Sequence, residues 1–311
     1  MHRRALLALP FLSAAGAARA QAPLAVTASF SILADMARQI GGARVAVRAI
    51  VGPDVDNHQF QARPSDAVAL RDAAVVLRNG LGFEPWLDRL LSAAAPRGRV
   101  VTVTAGITPR LMDGHAHDHG GSGRRQQHHV GARRVPDPHA WQDLRLAATY
   151  LRNIEAGLAA ADPSGAADYR AAAEAYAARL LALDAWVRAE IATVPAARRK
   201  IITNHDAFGY FAAAYGVTFL APQGLSTQGD PSAAQLGALI RQARAENVTA
   251  IFLENASNPA MMQGLAREAG LRLRGRLYAD ALSAPTGPAP DFEAMIRFNV
   301  TQMVPAMRGD A

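Results

Sequence analysis

The sequence predicts an α/β protein: two sets of alternating strands and helices joined by one long helix. Three observations carry this. Short β-rich runs alternate with helical runs from Leu24 to Val103. The same alternation resumes at Lys200 and continues to the last helix. Between them, Ser164–Thr193 holds an apolar stripe at helical spacing. Alternation of this kind builds parallel sheets covered by helices.

The fold does not begin at Met1. Arg3 and Arg4 precede a run of small apolar residues, Ala5 to Ala17, and Ala18-Arg19-Ala20 fits a small-x-small cleavage pattern. Residues 1–20 therefore read as an export signal, with Gln21 first in the mature chain. That apolar run is too short to span a bilayer, and no later stretch is long enough. The expectation is a periplasmic chain with no direct insertion in the membrane. The sequence has no cysteine, which excludes disulfides and thiolate metal ligands. It also leaves no residue to carry a lipid anchor at the cleavage site. A free monomer is expected.

Charge excludes a further class. Removing Arg3, Arg4 and Arg19 from the 33 basic residues leaves 30 against 26 acidic ones. Arg124, Arg125, Arg133 and Arg134 all lie beside a histidine tract, so the remainder is close to balanced. No basic face with interleaved aromatics is present, so nucleic acid is not an expected partner. About 290 mature residues suffice for two domains with cores of their own.

In order, Leu24–Ala28 reads as a strand and Ser31–Ile40 as a helix. Val45–Ile50 is a strand, followed by a Gly/Pro/Asp-rich loop carrying His58. Pro64–Arg71 is helical, Ala74–Leu77 a strand, Pro85–Ala93 a helix and Val100–Val103 a strand. Residues Ala105–Pro136 break the pattern. They hold His115, His117, His119, His128 and His129 among Gly, Gln and Arg, with few apolar residues to bury, and read as a mobile loop. Exposed imidazoles suit low-affinity metal capture; a solvated insert without a role is the plainer alternative.

A helix over Gln142–Ala160 follows and stops at Asp162-Pro163. The long helix comes next. Its apolar positions Tyr169, Tyr176, Leu180, Leu183, Val187, Ile191 and Val194 recur at steps of mostly three and four. At 1.5 Å per residue it spans roughly 45 Å, enough for a rigid strut between two lobes. The expected division is an N-terminal lobe over 21–163 with a His-rich loop at 113–135, a linker helix over 164–194, and a C-terminal lobe over 195–311.

The second set repeats the size and order of the first. Lys200–Thr203 is a strand ending at Asn204-His205, and Ala207–Tyr215 a helix. Val217–Leu220 is a strand, and Pro231–Ala245 a helix capped by Asp230. Thr249–Leu253 is a strand ending at Glu254, and Pro259–Ala269 a helix ending at Gly270. Arg276–Tyr278 is a strand leading to Asp280, and Phe292–Met307 the last helix.

Outside the tract, three histidines remain in the mature chain: His58, His139 and His205. Each sits where a loop leads toward a helix. His205 and Asp280 directly follow predicted strands, and ligands of open parallel sheets gather beyond the carboxyl ends of strands. Two residues per lobe would place a site in the cleft between lobes. Three imidazoles and one carboxylate form a four-coordinate N/O set suited to zinc; copper also fits on affinity. Calcium and magnesium want mostly oxygen. Asp66, Asp206 and Glu254 are candidates to orient the imidazoles. The plainer alternative is that each histidine is solvated or caps a helix, and that Asp280 caps the segment after its strand.

Specific motifs add to this. Asn57-His58-Gln59-Phe60 precedes Pro64-Ser65-Asp66. Asn79-Gly80-Leu81-Gly82 precedes Glu84 and Trp86. Asp137-Pro138-His139-Ala140-Trp141, the run from His205 to Phe211, and Asp280-Ala281-Leu282 complete the set. With these the chain resembles the zinc/manganese class of ABC-importer periplasmic solute-binding proteins, over Val26 to about Val304. The resemblance implies two (β/α)4 lobes with parallel sheets joined by one long rigid helix, and metal in the cleft between them. It implies the ligands His58, His139, His205 and Asp280, Zn2+ or Mn2+ as cargo, and an ABC permease in the inner membrane as partner. A periplasmic metallochaperone is a candidate donor. Manganese members often carry Glu at the third position, so His205 and the His-rich loop point to the zinc-binding subgroup. The chain departs from the family in Phe60-Gln61, where Tyr-Glu is usual, and in an acidic loop before His58, where Asp54 and Asp56 are candidate competing ligands.

Other chemistries fit less well. A zinc metallohydrolase with Glu254 as base would need an open coordination position, no H-E-x-x-H helix is present, and four protein ligands would close the site. A surface adhesin would need an anchor. Ser/His/Asp catalysis lacks its G-x-S-x-G elbow, and Ser226 and Ser283 read as turn residues. The protein is expected not to be an enzyme.

Overall fold

The computed structural model describes residues 22–113, 134–225, 227, 231–255, 257 and 259–310. The residues read as an export signal, the five tract histidines, Ser226 and Asp230 lie outside the described residues.

The first lobe begins with β1 (Leu24–Phe30), α1 (Ser31–Gly41), β2 (Val45–Val51), α2 (Pro64–Asp72), β3 (Val75–Arg78), α3 (Pro85–Ala94) and β4 (Arg99–Thr102). Its sheet is parallel with the order β2-β1-β3-β4. Val26, Ala28, Val75, Val76 and Leu77 are buried in it, as expected for strands covered on both faces. The second lobe holds β7 (Lys200–Ile202), α6 (Gly209–Tyr215), β8 (Thr218–Leu220), α7 (Ala233–Ala245), β9 (Ala250–Glu254), α8 (Pro259–Ala269), β10 (Arg272–Leu277) and α9 (Phe292–Arg308). Its order is β10-β9-β7-β8, again parallel. Counted within each lobe, both sheets run second, first, third, fourth. Each therefore has a switch point between its first and third strands, where chain leaves the sheet in opposite directions and a crevice opens.

Between the sets lie α4 (Leu144–Ala161) and α5 (Ala166–Ala192). At 27 residues, α5 spans about 40 Å. It is packed along its length rather than bare. Tyr169, Tyr176, Leu180, Leu183, Val187 and Ile191 are all buried, against α1 and α4 of the first lobe and α9 of the second. One apolar cluster runs through both lobes and α5, and a smaller one fills the space under α7 and α8. A polar junction reinforces the packing. Asp35 of α1 accepts the Phe292 N–H at the start of α9 at 3.0 Å. Arg179 of α5 pairs with Glu293 at 2.8 Å and reaches Gln39 at 3.1 Å. Burial pushes the Asp35 carboxyl above its ordinary value despite the Phe292 hydrogen bond.

Several boundaries differ from the sequence reading. The segment read as one loop over Ala105–Pro136 begins and ends in an antiparallel ribbon, β5 (Leu111–Asp113) with β6 (Arg134–Pro136). Two three-residue strands are too short to show periodicity. The helix expected from Gln142 is preceded by a 3-10 turn, Ala140–Gln142, because Asp143 caps α4 by accepting the Arg145 N–H. The cap of α7 is Ser232, in a reciprocal box with Gln235, not Asp230. The strand expected at Arg276–Tyr278 starts at Arg272. Arg272, Arg274 and Arg276 alternate along it with a bulge around Gly275, a charged edge strand that masks its own apolar pattern. Among the described residues no helix is long and apolar enough to cross a membrane.

The two faces of α5 can be separated by substitution. Leu180 is fully buried and its neighbour Leu181 is 53% exposed. Leu180→Ala is expected to cost about 2–5 kcal/mol in denaturant unfolding of the metal-free protein, and Leu181→Ala no more than about 0.5 kcal/mol. Equal costs would contradict the observed packing face.

Candidate metal centre

His58, His139, His205 and Asp280 converge in the cleft. Each offers one ligand atom, these atoms all lie within 4.8 Å of one another, and all four residues are buried. Asp280 stands at the centre. His58 Nε2 is 3.2 Å and His205 Nε2 3.1 Å from Asp280 Oδ2, and His139 Nε2 is 3.5 Å from Asp280 Oδ1. The imidazole centroids form a near-regular triangle with sides of 6.0, 5.4 and 5.4 Å. Phe83 lies edge-on to His58 and His139, and Trp141 to His139, so one side of the site is apolar.

Each ligand-bearing segment is held by its own hydrogen bonds. In the loop after β2, Asp56 Oδ1 accepts the His58 N–H at 2.8 Å. The loop entering α4 uses the same device: Asp137 Oδ1 accepts the His139 N–H at 3.0 Å and also takes His139 Nδ1 at 2.8 Å. Asn79 braces that loop by donating to the Pro138 carbonyl at 2.9 Å. Beyond β7, Glu254 Oε1 accepts the His205 N–H at 3.0 Å and Glu254 Oε2 makes a short hydrogen bond with His205 Nδ1. Asn204 Oδ1 fixes Glu254 by accepting its N–H at 2.8 Å. With Nδ1 of His139 and His205 engaged by carboxylates, Nε2 of each is turned to the centre. This is the orientation in which an outer carboxylate fixes the tautomer of a ligating imidazole.

Of the three carboxylates named from sequence as orienting groups, Glu254 takes that place. Asp66 instead pairs with Arg48 and caps α2. Asp137 was missed. Its signal was the Asp-x-His spacing shared by Asp56-His58 and Asp137-His139, in which the first side chain turns back onto the third N–H. Asp54 and Asp56 do not point into the site as competing ligands. Asp54 accepts the Ala284 N–H at 3.0 Å, and Asp56 Oδ2 accepts the Thr227 hydroxyl at 2.7 Å. Gly209, at the start of α6, is there for space: a Cβ would stand 2.6 Å from Asp137 Oδ2 and push the carboxylate that orients His139.

The donor set suits a transition-metal cation. His139 Nε2, His205 Nε2 and Asp280 Oδ1 are buried without a hydrogen-bond partner among the described residues, a costly state for three polar atoms that a cation at their centre relieves. Burial would raise the Asp280 pKa, but the His205 and His139 imidazoles hold it well below the ordinary carboxylate range. Burial would lower His205, but the Glu254 and Asp280 carboxylates outweigh it and raise its pKa well above the histidine norm. A cavity of about 10 Å³ reaches His205 and Asp280 past Asp56 and Asn255, about the space of one water.

Comparison with known proteins places this chain in a family. The model of the zinc-uptake complex component A, periplasmic (ZnuA), matches residues 26–306. The iron-binding protein YfeA of Yersinia pestis is 31% identical over 277 residues, covering 88% of this chain and 83% of its own. The manganese-binding lipoprotein MntA of Bacillus subtilis is 31% identical over 291 residues, covering 92% and 90%. Among solved structures, the periplasmic zinc-binding protein TroA of Treponema pallidum superposes with a TM-score of 0.80 at 28% identity, over 92% of this chain and 99% of its own.

Proton linkage follows from the His205 environment. In the empty site the raised pKa keeps His205 protonated at neutral pH, and metal must displace that proton. The proton stabilises the empty fold fully below the unfolded histidine pKa, and this contribution is lost as pH rises through the raised folded value. The gap in melting temperature between zinc-loaded and metal-free protein is therefore expected to widen from about pH 6 to about pH 8. A gap that stays constant or narrows would contradict it.

Proposed function

The chain belongs to the zinc-uptake component A family of periplasmic metal-binding proteins of ABC importers, and on that premise we propose that it captures Zn2+ with His58, His139, His205 and Asp280 and delivers it to an inner-membrane permease. It is a carrier and not an enzyme. The observation that carries the zinc reading is the donor set: three buried imidazoles and one carboxylate whose ligand atoms all lie within 4.8 Å of one another. Four ligands of this kind suit tetrahedral zinc. Manganese favours carboxylates, carbonyls and water in octahedral array, whereas three of the four donors here are imidazoles. Manganese remains the second reading, because one relative is named for manganese and another for iron.

On the same reading residues 1–20 are removed on export. Residues 21–163 and 195–311 form the lobes, and 164–194 the linker. The absence of cysteine supports a chain without a lipid anchor, free in the periplasm, unlike the lipoprotein relative. His115, His117, His119, His128 and His129 would serve as accessory capture sites, at an affinity far below that of the cleft, and a periplasmic metallochaperone could supply them.

Competition titration on the chain from Gln21 tests this. One tightly held zinc per chain is expected. His139→Ala should weaken it at least about 100-fold, since it removes a ligand as well as its orienting contact, and removal of residues 114–133 should leave it in place. Tight zinc binding that survives His139→Ala but is lost with the tract would overturn the assignment. Metal content of protein taken from the periplasm under balanced supply tests the cargo, and manganese in place of zinc would favour the second reading.

A further inference from the structure

Asp280 belongs to the second lobe by sequence, yet the first lobe holds much of the backbone around it. Upstream, the side chains of Trp141 and Gln142 both donate to the Ala279 carbonyl, each at 3.1 Å. Downstream, the Asp54 N–H donates to the Leu282 carbonyl at 2.9 Å, and Asp54 Oδ2 accepts the Ala284 N–H at 3.0 Å. Ser31 Oγ accepts the Leu282 N–H at 3.0 Å. Contacts from the second lobe flank these: Asn299 brackets the backbone of Tyr278, and Asn255 reaches the Ala281 carbonyl.

Two local costs are accepted at these clamps. Asp54 sits in the left-handed region at φ 54°, uncommon for a residue with a side chain. Gln142 is fully buried, and its Oε1 has no hydrogen-bond partner among the described residues. Such departures cluster where position matters more than stability. Their place in the chain matters as well. Asp54 lies four residues before His58, and Trp141 and Gln142 lie two and three residues after His139. Each first-lobe ligand thus comes with a grip on the segment that carries Asp280.

We propose that Asp54 and Gln142 are positioning residues for Asp280. They couple its carboxylate to the two first-lobe histidines, so that the fourth ligand is in place only while the first lobe holds it. The proposal rests on Asp280 being a ligand in the site described above. His205 takes its orientation from Glu254 and Asn204, within its own lobe, and stands outside this coupling.

A double-mutant cycle read by zinc competition separates positioning from general stability. Asp54→Gly keeps the left-handed backbone and its N–H contact to Leu282 and deletes the side-chain contacts to the Ala284 N–H and to Asn255 Nδ2, the latter at 3.4 Å. With Asp280 present it is expected to weaken zinc binding about tenfold, at the lower end of the effect of outer-shell groups. In the Asp280→Ala background the same change should cost less than about twofold, because there is no carboxylate left to position. Gln142→Leu, which removes one of the two donors to Ala279, tests the opposite clamp and should give the same pattern. Equal weakening in both backgrounds, or no weakening with Asp280 present, would overturn the proposal. If Asp280→Ala itself leaves zinc affinity unchanged, the ligand assignment fails instead.

Discussion

The structure depends on one buried negative charge. Asp280 is enclosed by three imidazoles drawn from both lobes, with its oxygens 3.1 to 3.5 Å from their Nε2 atoms. A carboxylate in such a place must be paired or neutralised. In the metal-free protein the imidazoles share that duty, and the low pKa of Asp280 beside the high pKa of His205 describes an ion pair in waiting. A divalent cation held there would replace the proton and meet His139 Nε2, His205 Nε2 and Asp280 Oδ1, which have no hydrogen bond among the described residues. Site and fold are thereby linked, since the groups that meet there come from four separate loops.

The loops reach one point because the lobes share a topology. Both sheets carry a switch point between first and third strands, and the same pairing occurs at each. In the first lobe Ser29 of β1 donates to Glu84 beyond β3 at 2.6 Å; in the second, His205 beyond β7 meets Glu254 at the end of β9. The first of these braces structure: Glu84 also accepts the Asn79 and Gly80 N–H groups, and Asn79 supports the loop of His139. The second orients a metal-facing ring. One arrangement of strand ends thus provides a scaffold on one side of the cleft and a donor on the other. The long helix α5, buried against α1, α4 and α9, keeps the two sides in register.

Much of this was legible in the sequence. Strand and helix order and the long helix follow from alternation; that His58, His139, His205 and Asp280 lie together was suggested by their placement at loop junctions and taken up from the motifs shared with the family. What escaped had physical reasons. β10 alternates arginines along an edge, so its pattern resembles a loop. The β5–β6 ribbon is shorter than any period. Asp137 was overlooked because adjacency to a ligand says nothing about rotamer until the turn is built. Asp54 looked like a rival ligand; its left-handed backbone instead turns both its N–H and its carboxylate onto the Leu282–Ala284 segment. Sequence placed acids near the metal, and only geometry distinguished those that face it from those that hold its ligands.

The central claim is that both lobes together supply a four-coordinate, imidazole-rich metal centre. X-ray absorption at the zinc edge of the loaded protein tests it most directly. About four N/O neighbours at about 2.0–2.1 Å are expected, with outer-shell scattering from three imidazoles that persists when residues 114–133 are removed. A six-coordinate, water-rich shell, or imidazole scattering that disappears with that segment, would contradict it.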